Sequence, residues 1–218
     1  MNKKLNTKLI YNTPLYICSS ATRMSHDNHD KSDTKEIIEY EMDTDDGYFE
    51  YKTIKTGDKD KALIKRVGVQ MHHESVLEML DYVFDVEMST KTLLAFSRHR
   101  IGVSLTMRST RYTTKKNVDF HKVQGTKSTK KYLNKIMDIV NDAIKEGLSN
   151  DEVSLLLPQA YVYRGQIKFN GRSLRHFLKL RLAKGAHFQI RELAEDLYNN
   201  LPEDHKYLYE DLVNKKGE

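Results

Sequence analysis

The stretch YVYRGQIKFNGRSLRHFLKLRLA, residues 161–183, combines two hydrophobic periods in one short segment. Its first ten residues predict a β-strand that ends at Asn170. The apolar residues that follow recur at helical spacing and predict a helix; they are Leu174, Phe177 and Leu178. The basic residues of that helix are expected to form one polar outer stripe, with Arg181 lying elsewhere. That stripe comprises Arg172, Arg175, His176 and Lys179.

Strands and helices are both predicted on either side of this stretch. Residues 6–18 indicate a strand and a turn, and the alternation in LDYVFDVEM, residues 80–88, indicates another strand. Helical patterns begin at Lys59 and at a cap formed by Ser89 or Thr90, and continue over residues 127–147, 149–157 and 186–201. Because the two kinds of element do not alternate regularly, we expect an α+β fold with a mixed sheet flanked by helices. A single domain is expected over residues 1–218, with a polar, loop-rich excursion at residues 26–58 that contains a short helix or a hairpin.

The composition is that of an ordinary globular protein with a mild basic excess. Hydrophobic residues make up 39% of the 218 residues, charged residues 31%, and the net charge is +5. This balance favours anionic ligands. The one cysteine, Cys18, excludes an intramolecular disulfide framework and lies in an apolar stretch typical of packing. With no signal-peptide pattern and no apolar run of membrane-spanning length, we expect a cytoplasmic protein.

The most unusual charge pattern is SRHRIGVSLTMRSTRY, residues 97–112. It holds four arginines, one histidine and several hydroxyls, and no acidic residue. A guanidinium group binds phosphate and carboxylate through a rigid fork of donors, and nearby hydroxyl and backbone N–H groups complete such a cradle. The alternative is a solvated basic face or an RNA-binding patch, although solvated faces usually mix lysine with acidic residues. The pattern therefore favours a site for anionic ligands.

A second group of polar residues is HHESVLE, residues 72–78. Ser75 and Glu78 have the spacing of a helix capping box, which competes with an acid–base or metal-binding interpretation. His72 and His73 are adjacent and would not share a helix face, so no metal site is predicted here.

Three motifs together resemble the flavin-dependent thymidylate synthases. The family hallmark is Arg-His-Arg followed by Ser and then Arg-Tyr, which residues 98–100 and 109–112 match. Upstream, the family's His-x-Ser/Thr-x-x-Glu pattern matches residues 73–78; downstream, its Asn-x-Arg-Ser-Leu pattern, ending in Leu-Arg, matches residues 170–181. The resemblance covers about residues 59–200. This sequence departs from the family in having eight residues, not seven, between Arg100 and Ser109. It also carries Ala95, Met107 and Ser154 where many members have Gln, Glu and Arg.

The resemblance implies an enzyme that makes dTMP from dUMP. Methylenetetrahydrofolate would give the carbon, NADPH the reducing equivalents, and bound FAD would carry the hydride, in a homotetramer whose subunits share active sites. The residues implied to contact FAD are Ser75, Arg98, His99, Arg100, Asn170, Arg172 and His176. The dUMP phosphate would be held by Ser109, Thr110 and Arg111. Arg181 would lie against the uracil as the catalytic residue, and His73 and Tyr112 would line the folate and nicotinamide side.

Two other functions remain open from the sequence. The changes at residues 95, 107 and 154 fit a degenerate relative that binds flavin or nucleotide without turnover. The basic clusters fit a nucleic-acid-binding module, but the chain has neither an aromatic RNA-binding motif nor a helix-turn-helix signature, so this function is disfavoured.

Overall fold

A computed structural model describes residues 6–43, 47–113 and 123–213. Its main sheet has four strands in the order β1, β4, β6, β5. These strands are β1 (Thr7–Asn12), β4 (Asp81–Ser89), β5 (Val103–Met107) and β6 (Val162–Asn170). The predicted α+β class is confirmed. The sheet differs from the expected mixed one, because all three pairings between its strands are antiparallel.

Helices connect and cover these strands. The longer ones are α1 (Leu15–Met24), α5 (Lys127–Lys145), α7 (Gly171–Arg181) and α8 (Phe188–Asn199). The shorter ones are α2 (Asp58–Ile64), α3 (Thr90–Phe96), α4 (Thr110–Thr113), α6 (Asn150–Leu156), α9 (Glu203–Lys206) and α10 (Glu210–Val213). A π-helical segment, Lys65–Gln70, continues α2, and 3₁₀ turns occupy His29–Lys31 and Glu74–Met79. Within the described residues, no helix is long and apolar enough to cross a membrane.

The core lies between one face of the sheet and α7 and α8. Alternate residues of β4 point into it, as expected for a strand with one covered face. They are Tyr82, Phe84, Val86 and Met88, each at most 2% exposed. They pack in one cluster with Leu174, Phe177, Leu178, Leu193 and Leu197. The core therefore holds β4 and β6 rigidly against the helix that follows β6.

Two junctions between strand and helix lie where the sequence predicts them. Ser89 ends β4 and caps α3, because its side chain accepts a hydrogen bond from the Thr92 backbone N–H at 3.1 Å. Asn170 ends β6 and caps α7, because its Oδ1 accepts from the Ser173 N–H at 2.8 Å. Such caps satisfy N–H groups that the first helical turn leaves unpaired. The strand-to-helix transition at residue 170 is thus built without a loop.

Residues 6–18 differ from the predicted strand and turn. The strand ends at Asn12, Pro14 takes an extended conformation, and α1 begins at Leu15. Cys18 is therefore a helical residue; it is fully buried, and burial raises the pKa of its thiol to about 12. The expectation that this cysteine packs in the core is confirmed.

The excursion at residues 26–58 contains a hairpin of β2 (Lys35–Asp43) and β3 (Gly47–Lys55). The two strands pair only with each other in the described sheets. The base of the hairpin is anchored by the buried carboxylate of Asp60, which accepts from Ser32 and Thr34 hydroxyls at 2.6 and 2.5 Å. The predicted short helix or hairpin corresponds to the 3₁₀ turn and this hairpin.

Arg175 does not join the predicted outer stripe of α7. It is 5% exposed, and its guanidinium donates to both carboxylate oxygens of Asp211 at 2.9 and 2.8 Å and to the Leu208 carbonyl oxygen. The expectation of one exposed stripe was wrong at this position because the C-terminal segment covers that side of α7. Arg172, His176 and Lys179 are exposed, as predicted.

Candidate active site

The Arg-His-Arg motif forms the turn that leaves the C-terminal end of α3. The backbone N–H of His99 donates to the Phe96 carbonyl oxygen at 2.9 Å, so the turn begins directly at the helix end. Arg98 and Arg100 are exposed, whereas His99 between them is partly buried. The two guanidinium groups are therefore presented to solvent from one fixed turn, as an anion-binding site requires.

The conformation of this turn is set by the start of α7. Gly102 has a φ of +65°, and its carbonyl oxygen accepts from the Asn170 N–H at 2.9 Å. The Ser173 hydroxyl donates to the Ile101 carbonyl oxygen at 2.7 Å. A Cβ at position 102 would overlap Ser173 Oγ and Asn170 Nδ2. Only glycine fits here, both for its φ and for the space.

His99 and Arg181 form a direct contact at the centre of the site. Arg181 Nε donates to His99 Nε2 at 3.0 Å, and Arg181 Nη2 lies 3.5 Å from the Ala95 carbonyl oxygen. Burial lowers the pKa of His99 to about 4, with further lowering by the charges of Arg181 and His176. Burial likewise lowers the pKa of Arg181, and the nearby charge of Arg98 adds to this. At neutral pH the pair is a neutral imidazole and a charged guanidinium.

Aromatic contacts hold the His99 ring in place. Its centroid lies 4.9 Å from that of the buried Phe177 and 6.1 Å from that of His176, both edge to face. Edge-to-face rings at these separations attract one another. The predicted residues His99, His176 and Arg181 are thus brought together on one side of α7.

The segment of residues 72–78 also meets α7, but through ion pairs. The proposed capping box of Ser75 and Glu78 is absent: residues 74–79 form a 3₁₀ turn without a side-chain cap. Glu78 instead accepts from Arg172 Nη1 at 2.7 Å. Glu74 lies 3.8 Å from both Arg172 and Arg175. This contact places Ser75, which is exposed, beside the N-terminal turn of α7.

The residues predicted for dUMP lie at the other end of β5. Thr110, Arg111 and Tyr112 form the short helix α4, which Ser109 precedes. Arg111 donates from Nε and Nη2 to the two carboxylate oxygens of Asp151 at 3.0 and 3.3 Å. At about 3.3 Å per residue, β5 separates this group from the Arg-His-Arg turn by roughly 15 Å within one chain.

The two remaining predicted contacts are open to solvent. Tyr112 is 70% exposed, and His73 is exposed at the start of its 3₁₀ turn. The His73 N–H donates to the Val67 carbonyl oxygen at 3.0 Å, which ties that turn to the π-helical segment. Among the described residues, neither side chain forms a hydrogen bond or a ring contact with the His99–Arg181 pair.

Several residues of the site were not identified from the sequence. Asp151, Glu74 and Glu78 pair with predicted arginines, and Ser173 holds the Arg-His-Arg turn. Of these residues, only Ser173 could be predicted to contact its neighbour from the local sequence. It lies three residues after Asn170, which is the spacing of a helix cap and the residue whose N–H it binds. Arg108 donates to the Tyr161 hydroxyl at 2.6 Å, a contact between residues 53 positions apart that no local pattern reveals.

Known proteins resemble this chain over most of its length. A family model described as thymidylate synthase complementing protein matches residues 8–205. The flavin-dependent thymidylate synthase of Campylobacter jejuni strain RM1221 is 31% identical over 95% of this chain and 97% of its own length. That of Wolinella succinogenes is 32% identical over 98% of this chain and 100% of its own.

Solved structures agree in fold as well as in sequence. A crystal structure of thymidylate synthase X from Helicobacter pylori with FAD and dUMP matches with a TM-score of 0.79 at 27% identity. The match covers 95% of this chain and 99% of that one. A second structure of the Helicobacter pylori protein, complexed with FAD and dUMP, gives a TM-score of 0.80 at 28% identity. The chain belongs to the flavin-dependent thymidylate synthase family.

Proposed function

We propose that this chain converts dUMP to dTMP, with methylenetetrahydrofolate as the carbon donor and NADPH as the reductant. Bound FAD would supply the redox chemistry, accepting and passing on a hydride. The contact of Arg181 with His99, beside the exposed guanidinium groups of Arg98 and Arg100, is the observation that carries the proposal. It joins two of the three matched motifs in one structure.

The residues of the Arg-His-Arg turn fit a flavin dinucleotide. A pyrophosphate needs charged donors, and Arg98 and Arg100 present two guanidinium groups from a turn that cannot shift easily. The turn is held by the hydrogen bonds of Asn170 and Ser173. The space that a Cβ at residue 102 would need is already filled by these two side chains. We assign further contacts with the cofactor to Ser75, Arg172 and His176, which lie along the same end of α7.

Arg181 is proposed to hold a positive charge against the uracil ring. Such a charge favours loss of the N3 proton and makes C5 more nucleophilic, because it stabilises negative charge that develops on the ring. His99 accepts from Nε and Nη2 lies near the Ala95 carbonyl oxygen, so both direct the guanidinium and leave Nη1 for the substrate. Since His99 is neutral at pH 7, it does not add a competing charge.

Ser109, Thr110 and Arg111 are proposed to hold the dUMP phosphate. Their separation from Arg181 along β5 supports an active site assembled from more than one subunit of a homotetramer. In that arrangement, α4 of one protomer would face α7 of another. The exposed side chains of His73 and Tyr112 would then contact folate and nicotinamide at the open side of the site.

A reducing cytoplasmic setting completes the proposal. The one cysteine of the chain is a buried free thiol in the structure, so nothing in it requires an oxidising compartment.

The test combines a spectrum with an isotope-release assay. The purified chain should show flavin absorbance, and it should release tritium from dUMP labelled at C5 when NADPH and methylenetetrahydrofolate are present. NADPH oxidation should accelerate when dUMP is added. A colourless protein that cannot be loaded with FAD would refute the proposal. Flavin absorbance without tritium release would identify a degenerate relative.

A further inference from the structure

A second cationic site lies where α1, the first 3₁₀ turn, α2 and the π-helical segment meet. It is a pocket of about 640 Å³, hereafter the basic pocket. Four cationic side chains line it: Arg23, Lys31, Lys59 and Arg66. None of them belongs to the residue sets assigned above to FAD, dUMP, folate or NADPH.

Two carboxylates on the elements around this pocket are already engaged. Asp60 Oδ1 accepts from Arg23 Nε at 2.6 Å, and its Oδ2 accepts from the Ser32 and Thr34 hydroxyls. Asp33 accepts from the backbone N–H groups of Lys59 and Asp60 at 2.8 and 3.0 Å, as a cap on α2. These two acids hold the fold around the pocket together, and neither contacts the side-chain nitrogen of a lining lysine.

Three of the four cations have no counter-ion in the part of the chain that the structure describes. Arg23 is paired with Asp60, whereas Lys31, Lys59 and Arg66 make no ion pair with any described residue. Among the residues that the structure describes, no carboxylate lines the pocket, although Asp30 and Asp58 are exposed on the same elements. Like charges gathered around one concavity repel each other and raise the local concentration of anions. A multiply charged anion would relieve this repulsion.

The walls of the pocket are held in a defined shape. Asp27 adopts a φ of +47°, and Arg23 Nη1 donates to the Asn28 carbonyl oxygen at 3.3 Å, so α1 ends in a fixed turn. Asn28 lines the pocket, and its buried Oδ1 has no hydrogen-bond partner among the described residues. Buried polar atoms are usually paired, so this unpaired oxygen is unfavourable as it stands. Rotation of the Asn28 side chain would bring it to the pocket surface, where a ligand could supply the missing donor.

Apolar surface completes the lining. Ala62 and Leu63 contribute it from α2. The volume falls within the range of about 300–1,000 Å³ that is usual for small-molecule sites. Cations on one side, an apolar patch and an unpaired amide oxygen together suit a ligand with phosphates, a planar ring and an exocyclic amino group.

We propose that the basic pocket binds a nucleoside di- or triphosphate. Its phosphates contact Lys31, Lys59 and Arg66, its base lies against Leu63, and a base amino group donates to Asn28 Oδ1. The site is additional to the thymidylate synthase reaction and does not depend on it.

The experiment is a calorimetric titration of the full chain, saturated with FAD and dUMP, with ATP, dCTP and inorganic tripolyphosphate. The K59A/R66A variant removes two unpaired cations whose side chains are exposed, so its fold should be preserved. The matched control is K145A/K206A, which removes one exposed and one partly buried lysine outside the pocket lining, paired with Asp142 and Glu203. We expect saturable 1:1 binding to the wild-type chain and to the control, and at least tenfold weaker binding to K59A/R66A.

Asn28→Ala tests the contact with the base. It should weaken binding of ATP or dCTP several-fold and leave tripolyphosphate binding unchanged. Equal nucleotide affinity in wild type and K59A/R66A would overturn the proposal, as would tripolyphosphate binding as tightly as the nucleotides. If only a single-stranded oligonucleotide bound, and K59A/R66A abolished this binding, the pocket would belong to a nucleic-acid surface instead. A chain that cannot be loaded with FAD would refute the proposed reaction but would still allow the same titration without the cofactor.

Discussion

Arg181 and His99 are 82 residues apart in the sequence, yet the Nε of Arg181 donates to Nε2 of His99 at 3.0 Å. Because Nε2 accepts, the proton of the neutral imidazole lies on Nδ1. The contact ties the last turn of α7 to the turn that follows α3. A single hydrogen bond therefore couples the proposed catalytic guanidinium to the residues proposed for the cofactor.

Replacing Arg181 by alanine should separate cofactor binding from turnover. The variant loses the charge proposed to act on the uracil, whereas Arg98 and Arg100 stay on their turn. We expect flavin absorbance to persist and the rate of tritium release from dUMP to fall about 100- to 1,000-fold, as for loss of one preorganised donor. Lys179→Ala, at an exposed position of the same helix, is the control and should retain activity. Full activity in the Arg181 variant would contradict the assignment.

Replacing Gly102 by alanine should destabilise the fold and weaken flavin binding. The new Cβ would overlap Ser173 Oγ, and alanine at a φ of +65° adds backbone strain. Together these should cost about 2–3 kcal/mol in free energy of unfolding, of which strain alone is about 1–2 kcal/mol. Urea unfolding monitored by circular dichroism measures the loss.

Alanine substitutions at two other glycines distinguish backbone strain from overlap of the added Cβ as causes of the lost stability. Gly147 has a φ of +92°, and a Cβ added there would meet no atom within 4 Å, so Gly147→Ala should show the strain alone. Gly185 has open space and no positive φ, and Gly185→Ala should change stability by less than about 0.5 kcal/mol. If Gly102→Ala lowered the free energy of unfolding no more than Gly147→Ala does, the overlap with Ser173 would be unimportant.

Local patterns were sufficient to predict several elements of the site, but not β5, α4 or the 3₁₀ turn at residues 74–79. The alternation in β4, the strand-to-helix boundaries at Ser89 and Asn170 and the helical spacing in α7 each depend on residues within a few positions of one another. The resemblance of three motifs then indicated which polar residues share the site. The contact of His99 with Arg181 follows from that resemblance and not from any local period.

Partners distant in sequence were beyond prediction. Arg175 was expected to face solvent because its helical position matches a basic stripe, but the C-terminal segment with Asp211 covers it. The capping box that the spacing of Ser75 and Glu78 allowed is absent for a similar reason, since Arg172 from α7 binds the Glu78 carboxylate. In both cases a tertiary ion pair replaced the interaction that local spacing favoured.

Breaking the contact between Arg175 and Asp211 should destabilise the protein strongly. The Arg175 side chain is 6% exposed and that of Asp211 is 41% exposed. Arg175→Met removes two charge-assisted hydrogen bonds and leaves the buried Leu208 carbonyl without this donor. We expect a loss of about 2–4 kcal/mol in free energy of unfolding.

Arg172→Met is the matched comparison on the same helix. Its side chain is 53% exposed and pairs with Glu78 at the surface, so the loss should stay below about 1 kcal/mol. Chemical denaturation of both variants gives the difference. Similar losses would show that the buried pair adds nothing beyond a surface ion pair.

Stability should fall between pH 6.5 and pH 4. Burial lowers the pKa of His99 to about 4, and burial also lowers that of His205 to about 4. In the unfolded chain both imidazoles take up a proton near pH 6.5, while the folded state excludes it until about pH 4. Their contribution is therefore complete above pH 6.5 and is lost as the pH falls through this window.

Thermal unfolding from pH 8 to pH 4 measures this loss. His205→Gln retains a partner for the Tyr82 hydroxyl, which lies 2.8 Å from His205 Nδ1, but cannot titrate. Its melting temperature should decline less steeply below pH 6.5 than that of the wild type. Asp33 and Asp60, whose pKa values are lowered from 3.8, contribute only below about pH 5, so the slope between pH 6.5 and about pH 5 reports on the histidines. If the melting temperature of the His205 variant declined with pH as steeply as that of the wild type, protonation of His205 would not be a cause of the loss.

Asp151 should compete with dUMP for Arg111. The Asp151 carboxylate engages the edge of the Arg111 guanidinium formed by Nε and Nη2, and the two side chains are 68% and 62% exposed. If the substrate phosphate binds this same edge of Arg111, the ion pair must open first. An exposed pair contributes about 0.2–1 kcal/mol, so Asp151→Asn should tighten dUMP binding by up to about fivefold.

Calorimetric titration of dUMP into Asp151→Asn and three further variants tests this competition. Arg111→Ala should weaken binding about tenfold or more, because a charge-assisted hydrogen bond to phosphate contributes about 1.5–3 kcal/mol. Asp142→Asn, at an exposed carboxylate paired with Lys145, should leave the affinity unchanged. The double variant with both Arg111→Ala and Asp151→Asn should bind as weakly as Arg111→Ala alone, since the aspartate acts only through the arginine. Tighter binding in that double variant would show that Asp151 repels the phosphate directly, and that Arg111 is not its ligand.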